Sequence, residues 1–198
     1  MALRHHRVPA SIPAAALGRW YAQPVGVLLL TGPSGAGKNA VAAALTPQLE
    51  RCAVVDVDLV RWMVLQPHRA PWEGDEGRAQ HRLGARNACL LARSFLDAGF
   101  AVVLLDALTA EVAALYRTEL SDRGLWIVLL LPTFEEVLRR NRVRGPRLKD
   151  EEVVMLYQQH ASLAGYDERI DNTNLSAQEV AALLRPRLRS AHPRSPPG

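Results

Sequence analysis

The sequence has little cysteine, little lysine and no long apolar run. Cys52 and Cys89 are its two cysteines, and they lie in apolar stretches without C-x-x-C spacing, so we expect neither a disulfide framework nor a cysteine-type zinc site. No apolar run approaches the roughly 18 residues that a membrane span needs, and residues 1–24 lack the apolar centre of a secretory signal. These absences argue against a membrane partner and a disulfide-rich secreted scaffold, and they predict a protein of the reducing cytoplasm.

Acidic residues are missing from both ends of the chain. The net charge is +4, from 24 basic and 20 acidic residues. Residues 1–24 and 185–198 together carry seven arginines and no acid, which leaves 17 basic against 20 acidic residues between them. The basic excess therefore belongs to the two ends and gives only weak support to nucleic acid binding. For 198 residues we expect one globular domain over 25–189, with an N-terminal arm over 1–24 and a disordered tail over 190–198.

Arginine supplies almost every positive charge, and one of the exceptions lies in a glycine-rich loop. Of the 24 basic residues, only Lys38 and Lys149 are lysines. Lys38 ends the segment Gly-Pro-Ser-Gly-Ala-Gly-Lys, which follows an apolar run and precedes an amphipathic segment. This is the G-x-x-x-x-G-K phosphate-binding loop, in which backbone N–H groups, a helix N-terminus and the lysine ammonium bind nucleotide phosphates. The predicted nucleotide-binding residues are Gly32, Pro33, Ser34, Gly35, Ala36, Gly37, Lys38, Asn39 and Ala40.

Short apolar segments alternate with amphipathic segments along the chain. Residues 25–31, 53–57, 101–105 and 126–131 are rich in Val, Ile and Leu without polar alternation, which is typical of strands buried on both faces. A fifth strand is predicted to begin near Ile170, and helical spacing appears between the strands. The pattern predicts an α/β protein with the P-loop NTPase fold, a parallel five-stranded sheet flanked by helices.

Two positions are candidates for holding Mg²⁺. Asn39 follows Lys38, where a P-loop usually has a Ser or Thr whose hydroxyl binds the metal. The longer Asn39 amide either contacts the ion through water, or an acidic residue compensates for a weaker contact. Asp106 closes the third predicted strand and is expected to orient Mg²⁺ directly or through water. The alternative for Asp106 is a helix N-cap, with Thr109 as a competing cap.

A carboxylate and an arginine follow the second predicted strand. Asp56 and Asp58 are expected on one face of that strand, with Asp58 nearer its carboxyl end, where open α/β sheets bind their ligands. Asp58 is the predicted catalytic base that accepts a proton from an attacking hydroxyl. Arg61 is predicted to hold the acceptor or the transferring phosphate. The alternative interpretation makes Asp58 a helix N-cap and Arg61 a surface residue.

Arginines recur at helical spacing in two segments. Arg140 and Arg144 are four residues apart and are predicted to form a small arginine-rich lid that neutralises charge during catalysis. A second series at the same spacing ends at Arg86 and has Gln80 within it, so Gln80 and Arg86 are candidates for binding the acceptor. In both segments the alternative is a solvated helix face.

These motifs together resemble a group of P-loop kinases that includes chloramphenicol phosphotransferase, zeta toxins and the kinase domain of polynucleotide kinase. The resemblance covers about residues 25–184. It rests on the phosphate-binding loop, on D-L-V-R from Asp58 to Arg61, and on G-F-A-V-V-L-L-D ending at Asp106. It also rests on R-R-N-R-V-R over 139–144 and on D-N-T-N-L-S-A-Q-E over 171–179.

The resemblance implies roles for four residues. In such kinases the aspartate matching Asp58 acts as base toward the acceptor hydroxyl, and the arginine matching Arg61 contacts phosphate or substrate. The lid arginines, here Arg140 and Arg144, embrace ATP. The asparagine after the loop lysine departs from the pattern of the group.

Motifs and resemblance together predict an ATP- and Mg²⁺-dependent phosphotransferase. The γ-phosphate is expected to move to a hydroxyl of a small molecule of antibiotic, nucleoside or sugar type, by a monomer or a homodimer. Transfer to a polynucleotide 5′-hydroxyl is an alternative, as is a nucleotide-binding module that transfers nothing.

Overall fold

The computed structural model describes residues 26–143 and 148–188. The predicted arm, the predicted tail and Arg144 lie outside the described residues. Among those described, no helix is both long and apolar enough to cross a membrane.

Five parallel strands form the sheet, as predicted from the apolar segments. They are β1 (Val27–Thr31), β2 (Cys52–Asp56), β3 (Ala101–Leu105), β4 (Leu125–Leu130) and β5 (Glu168–Ile170), in the spatial order β2-β3-β1-β4-β5. All four pairings are parallel.

Seven α-helices flank the sheet in the described residues. They are α1 (Lys38–Leu45), α2 (Val57–Arg61), α3 (Gly74–Asp97), α4 (Ala110–Glu119), α5 (Phe134–Val143), α6 (Asp150–Ala161) and α7 (Ala177–Leu184). Single 3-10 turns follow α1 at Thr46–Gln48 and α7 at Arg185–Arg187. The helices make the predicted layers on both sides of the strands.

Both faces of the sheet are covered, which explains the uninterrupted apolar strands. In β1, Leu29 packs into the cluster shared with α3 and α4, whereas Leu28 and Leu30 pack into the cluster shared with α1 and α7. All five β1 residues are buried. Because successive side chains point to opposite faces, burial on both sides requires apolar residues at nearly every position.

The topology creates a crevice at the carboxyl edge of the sheet. The adjacent strands β1 and β3 lead into helices on opposite faces, since α1 packs on one apolar cluster and α4 on the other. Such a divergence is where open α/β sheets bind ligands. The ends of the five strands therefore bring distant polar residues to one edge.

The second strand lies one residue earlier than the predicted 53–57. It ends at Asp56, and Val57 already begins α2. Asp56 caps this helix, because its Oδ1 accepts a hydrogen bond from the Asp58 N–H at 3.1 Å. Asp56 and Asp58 thus do not share one strand face, since Asp58 lies in the first turn of a helix. The position of this boundary has a local cause. An aspartate at the start of a helix accepts a hydrogen bond from a backbone N–H of the first turn, which has no partner within the helix.

Candidate phosphate-binding and acceptor site

The glycine-rich loop connects β1 to α1 and holds the lysine in place. Gly37 adopts φ +97° directly before α1, a conformation that favours glycine. At Gly32 a Cβ atom would collide with the backbone carbonyl of Leu130. The Lys38 Nζ donates to the carbonyl of Gly32 at 2.6 Å and to that of Pro33 at 3.3 Å. The ammonium therefore lies within the loop, as phosphate binding requires.

The loop is also anchored by residues from the far end of the chain. Asn172, just after β5, donates from Nδ2 to the Ala36 carbonyl at 2.8 Å. Arg140 of α5 donates to the same carbonyl at 3.5 Å and to the Asn172 carbonyl at 2.9 Å. These bonds fix the loop to α5 and to the segment after β5.

Arg140 is itself held by a carboxylate. Its Nε donates to Glu136 Oε1 at 2.6 Å, and Arg139 also donates to Glu136. The hydrogen bonds from Arg139 and then Arg140 lower the pKa of Glu136 to about 2. The guanidinium of Arg140 thus contacts a carboxylate, the loop and the segment after β5, whereas the solvated-face alternative would leave it in water.

A cavity of about 270 Å³ opens beside these anchors. It lies between the start of α1 and the start of α7, and both Arg140 and Asn172 line it. Neither the cavity nor the place of Asn172 in it follows from the sequence. The only available signal was the polar segment after the fifth strand, whose side-chain direction cannot be derived from sequence.

Asn39 and Asp56 meet at the edge of the loop. Asn39 Nδ2 donates to Asp56 Oδ2 at 3.0 Å, so the first turn of α1 contacts the end of β2. The other Asp56 oxygen receives the Asp58 N–H. This chain of two hydrogen bonds joins the residue after Lys38 to the predicted base. Asp56 was not predicted as a site residue, although the D-x-D spacing marked it.

Asp58 and Arg61 form an ion pair of unequal exposure. The Arg61 Nη1 lies 3.2 Å from Asp58 Oδ1, with 8% of the arginine side chain exposed and 70% of the aspartate side chain exposed. Arg61 also donates to the Arg69 carbonyl at 3.0 Å, and its Nε is buried without a partner among the described residues. The alternative of an Asp58 cap with a surface arginine is wrong, since Asp56 is the cap and Arg61 is buried.

Asp106 is enclosed by protein donors at the end of β3. Its carboxylate accepts from Tyr116 Oη at 2.9 Å and from the Ala107 N–H at 2.7 Å, and it lies 3.3 Å from His81 Nε2. Burial alone would raise its pKa, but hydrogen bonds from these partners outweigh burial and lower the pKa. Thr109 caps α4, so the N-cap alternative for Asp106 is wrong. Its contact with Mg²⁺ stays a prediction.

The structure places Gln80 and Arg86 differently from one another. Gln80 is buried, and its amide holds the loop before α3 through the Arg69 N–H at 3.0 Å and the Pro67 carbonyl at 2.5 Å. Arg86 is exposed on α3, whose core-facing residues include Ala85 and Ala88. The Gln80 amide is thus already hydrogen-bonded to the backbone of this loop. The position of Arg86 fits a solvated helix face.

A buried histidine near the loop lysine was also missed. His160 of α6 is fully buried, and its Nδ1 lies 2.7 Å from the Leu156 carbonyl. Burial and then the charge of Lys38 lower its pKa to about 4. A lone histidine in a helical segment gives no sequence signal of this environment.

The fold and site define a class of protein. A P-loop that leads into a helix at the carboxyl edge of a parallel sheet, with an exposed aspartate beside it, indicates a P-loop kinase-like phosphotransferase. The chain belongs to the chloramphenicol phosphotransferase-like family, whose model matches residues 25–189.

Solved structures share the fold at low sequence identity. The tunicamycin resistance protein of Deinococcus radiodurans is 21% identical with a TM-score of 0.62, over 85% of this chain and 99% of that one. Shikimate kinase of Acinetobacter baumannii, in complex with shikimate, is 22% identical with a TM-score of 0.54, over 87% and 94%. The APS kinase of Mycobacterium tuberculosis, in complex with AMPPNP and APS, is 21% identical with a TM-score of 0.58, over 82% and 96%. No curated protein matches the sequence.

Proposed function

We propose that this protein transfers the γ-phosphate of ATP to a hydroxyl group of a small molecule. One observation carries the proposal: the hydrogen bonds from Asn39 to Asp56 and from Asp58 to Asp56 join the phosphate-binding loop to the Asp58–Arg61 pair. The loop proposed to bind the phosphate donor and the residue proposed to accept the proton therefore lie at the same edge of the sheet.

The proposed reaction is a direct displacement. The acceptor O–H gives its proton to the Asp58 carboxylate as the oxygen forms a bond to the γ-phosphorus. The bond from that phosphorus to the β,γ-bridging oxygen breaks, and ADP leaves with the electron pair. Lys38 neutralises charge on the phosphates, and Arg61 orients Asp58 through their ion pair. Arg144 stays the predicted lid arginine, whereas Arg140 is assigned to anchoring the loop, with transition-state stabilisation a further prediction for it.

The oxygen atoms of Asn39 and Asp56 fit Mg²⁺. Mg²⁺ prefers oxygen ligands and commonly uses one or two protein groups together with phosphates and water. Asp56 is half-buried next to the loop and provides the compensating carboxylate that the unusual Asn39 requires. When bound, the ion would supply charge neutralisation at the phosphates. Asp106 is the other predicted contributor.

Two observations support a small acceptor. The chain between the basic ends carries more acidic than basic residues, which does not favour a polyanion. The solved structures of similar fold include kinases bound to the small molecules shikimate and APS. A polynucleotide 5′-hydroxyl is therefore the less favoured acceptor.

A pair of aspartate variants tests the base. Asp75 is an exposed acid paired with Arg78 three residues later, just as Asp58 is paired with Arg61, so Asp75→Asn is a matched control for Asp58→Asn. Transfer is measured with ATP labelled at the γ-phosphate and a panel of hydroxyl compounds, including nucleosides, sugars and a 5′-hydroxyl oligonucleotide. Asp58→Asn should keep ATP binding and lose about 10²–10⁴-fold in kcat.

The outcomes separate the parts of the proposal. Lys38→Ala should abolish ATP binding or turnover, and Asp75→Asn should behave as the wild type. Normal turnover by Asp58→Asn would show that another group is the base. Tight ATP binding with no phosphorylated compound would favour the nucleotide-binding module, and labelling of the oligonucleotide alone would favour the polynucleotide acceptor.

A further inference from the structure

The guanidinium of Arg61 is held by a carbonyl group of the loop that precedes α3. Its Nη2 donates to the Arg69 carbonyl at 3.0 Å, while its Nη1 lies 3.2 Å from Asp58 Oδ1. The arginine side chain is buried and the aspartate side chain is exposed. Because the two contacts lie on different nitrogens of one planar group, the position of the Arg69 carbonyl sets how the guanidinium faces Asp58.

The buried side chain of Gln80 holds the segment that carries this carbonyl. Its Oε1 accepts the Arg69 N–H at 3.0 Å. Its Nε2 donates to the Pro67 carbonyl at 2.5 Å and to Glu76 Oε1 at 2.7 Å. Both amino hydrogens and the carbonyl oxygen of the amide therefore have partners, two of them on the loop backbone. A carboxylate in this place could not donate, and it would face the carboxylate of Glu76.

The same face of α3 also contacts the stem of the Arg61 side chain. Gly84 lies four residues after Gln80, so the two residues share a helix face. A Cβ atom at Gly84 would lie 2.5 Å from Arg61 Cγ and 3.2 Å from Arg61 Cδ. The aliphatic part of Arg61 thus packs against the backbone of α3, while Gln80 fixes the loop that binds the guanidinium. One helix therefore determines the position of both parts of this side chain.

We propose that Gln80 positions the catalytic base Asp58 by fixing the loop that holds Arg61. The proposal rests on the proposed function, because it takes Asp58 as the base. Protein groups occupy the Gln80 amide, so Gln80 acts without contacting the acceptor. Without its hydrogen bonds the Arg69 carbonyl shifts, and the guanidinium that orients Asp58 shifts with it. A displacement of about 1 Å that originates far from the reacting atoms can cost about 10²-fold in rate.

Two variants of Gln80 test this role in the full chain. Gln80→Met has a side chain of similar length that makes none of these hydrogen bonds, and Gln80→Glu keeps the acceptor for the Arg69 N–H. Transfer is measured with ATP labelled at the γ-phosphate and the panel of nucleosides, sugars and a 5′-hydroxyl oligonucleotide, and ATP affinity by calorimetry. In both variants we expect kcat to fall about 10–100-fold at wild-type ATP affinity. Adding Glu76→Gln to Gln80→Glu should restore part of kcat, because the two side chains can again form a hydrogen bond.

A double variant separates positioning from general support of the fold. Arg61→Met removes the guanidinium through which Gln80 acts, so adding Gln80→Met to it should cause little further loss of kcat. Residues that act independently would instead lower kcat by the same factor in both backgrounds. Gln159→Met is the matched control, because Gln159 is half-buried in α6 and its Nε2 also donates to a distant backbone carbonyl, that of Leu108, at 2.9 Å. Gln159→Met should keep the wild-type kcat.

Several results would overturn the inference while leaving the proposed function intact. Wild-type kcat in the Gln80 variants would do so, as would equal losses in the wild-type and Arg61→Met backgrounds. A higher KM for the acceptor at unchanged kcat would show that Gln80 binds the acceptor instead. Loss of ATP binding in both variants would show that Gln80 supports the fold as a whole. If the wild type phosphorylates no compound of the panel, the proposed function fails and this inference fails with it.

Discussion

His160 should make the stability of this protein fall as the pH drops below neutrality. The imidazole is fully buried, and its Nε2 has no hydrogen-bond partner among the described residues. Lys38 and His81 disfavour an added positive charge on it, whereas Asp106 favours one. Burial is the largest cause, and the net effect is a pKa of about 4, below the usual 6.5. The folded protein therefore keeps His160 neutral where an unfolded chain would protonate it.

The direction and size of the pH effect on the free energy of unfolding follow from this difference in protonation between the folded and unfolded states. Well above pH 6.5 the imidazole is neutral in both the folded and the unfolded state, so His160 does not lower the free energy of unfolding there. Between pH 6.5 and about 4 the unfolded state binds one more proton, so the free energy of unfolding falls by about 1.4 kcal/mol per pH unit. From pH 7.5 to pH 5 the loss from His160 amounts to about 2 kcal/mol, a sizeable part of the stability of an ordinary domain.

Urea unfolding at several pH values measures this loss. The variant His160→Gln cannot protonate, so its free energy of unfolding should fall about 2 kcal/mol less than that of the wild type between pH 7.5 and pH 5. His68→Gln is the control, because His68 is only partly buried and stacks on Trp62 with ring centroids 3.9 Å apart. The comparison uses slopes, so a lower absolute stability of His160→Gln does not affect it. Parallel pH profiles of the wild type and His160→Gln would refute the reasoning.

Three further substitutions probe the packing around the site. Gly84→Ala should lower the free energy of unfolding by about 1–3 kcal/mol, because the new Cβ would lie 2.5 Å from Arg61 Cγ; an unchanged urea midpoint would contradict this. Tyr116→Phe should cost about 1–3 kcal/mol by removing a buried donor to Asp106, and a melting temperature equal to that of the wild type would show that this bond carries no stability. Arg140→Lys should weaken ATP binding in calorimetry, since one ammonium cannot reproduce the several contacts of the guanidinium; wild-type affinity would contradict the anchoring role.

Local sequence determined the parts of this protein that depend on contiguous residues. The phosphate-binding loop is one such part, because its glycines, Lys38 and the following helix act through the backbone of a single segment. The capping box that opens α7 is another, since Ser176 and Glu179 bond each other's backbone within one turn. Strand burial was also predictable, because uninterrupted apolar runs require cover on both faces.

Side-chain directions and distant contacts were decided only by the tertiary structure. Gln80 is a residue type that can bind a substrate, but its amide is hydrogen-bonded to the backbone of the loop before α3. Asp58 lies in α2 because Asp56 caps that helix. The spacing of the two aspartates does not reveal that the strand ends at the first of them.

Asn172 shows the limit most clearly. It contacts Ala36 across 136 residues of chain, and no local pattern encodes such a contact. The sequence by itself determined the conformation of the glycine-rich loop and the strands that surround it, because these follow from local backbone geometry and from hydrophobic burial. The lining of the cavity, the capping aspartate and the charge state of His160 depend on which elements pack together, so only the tertiary structure decided them.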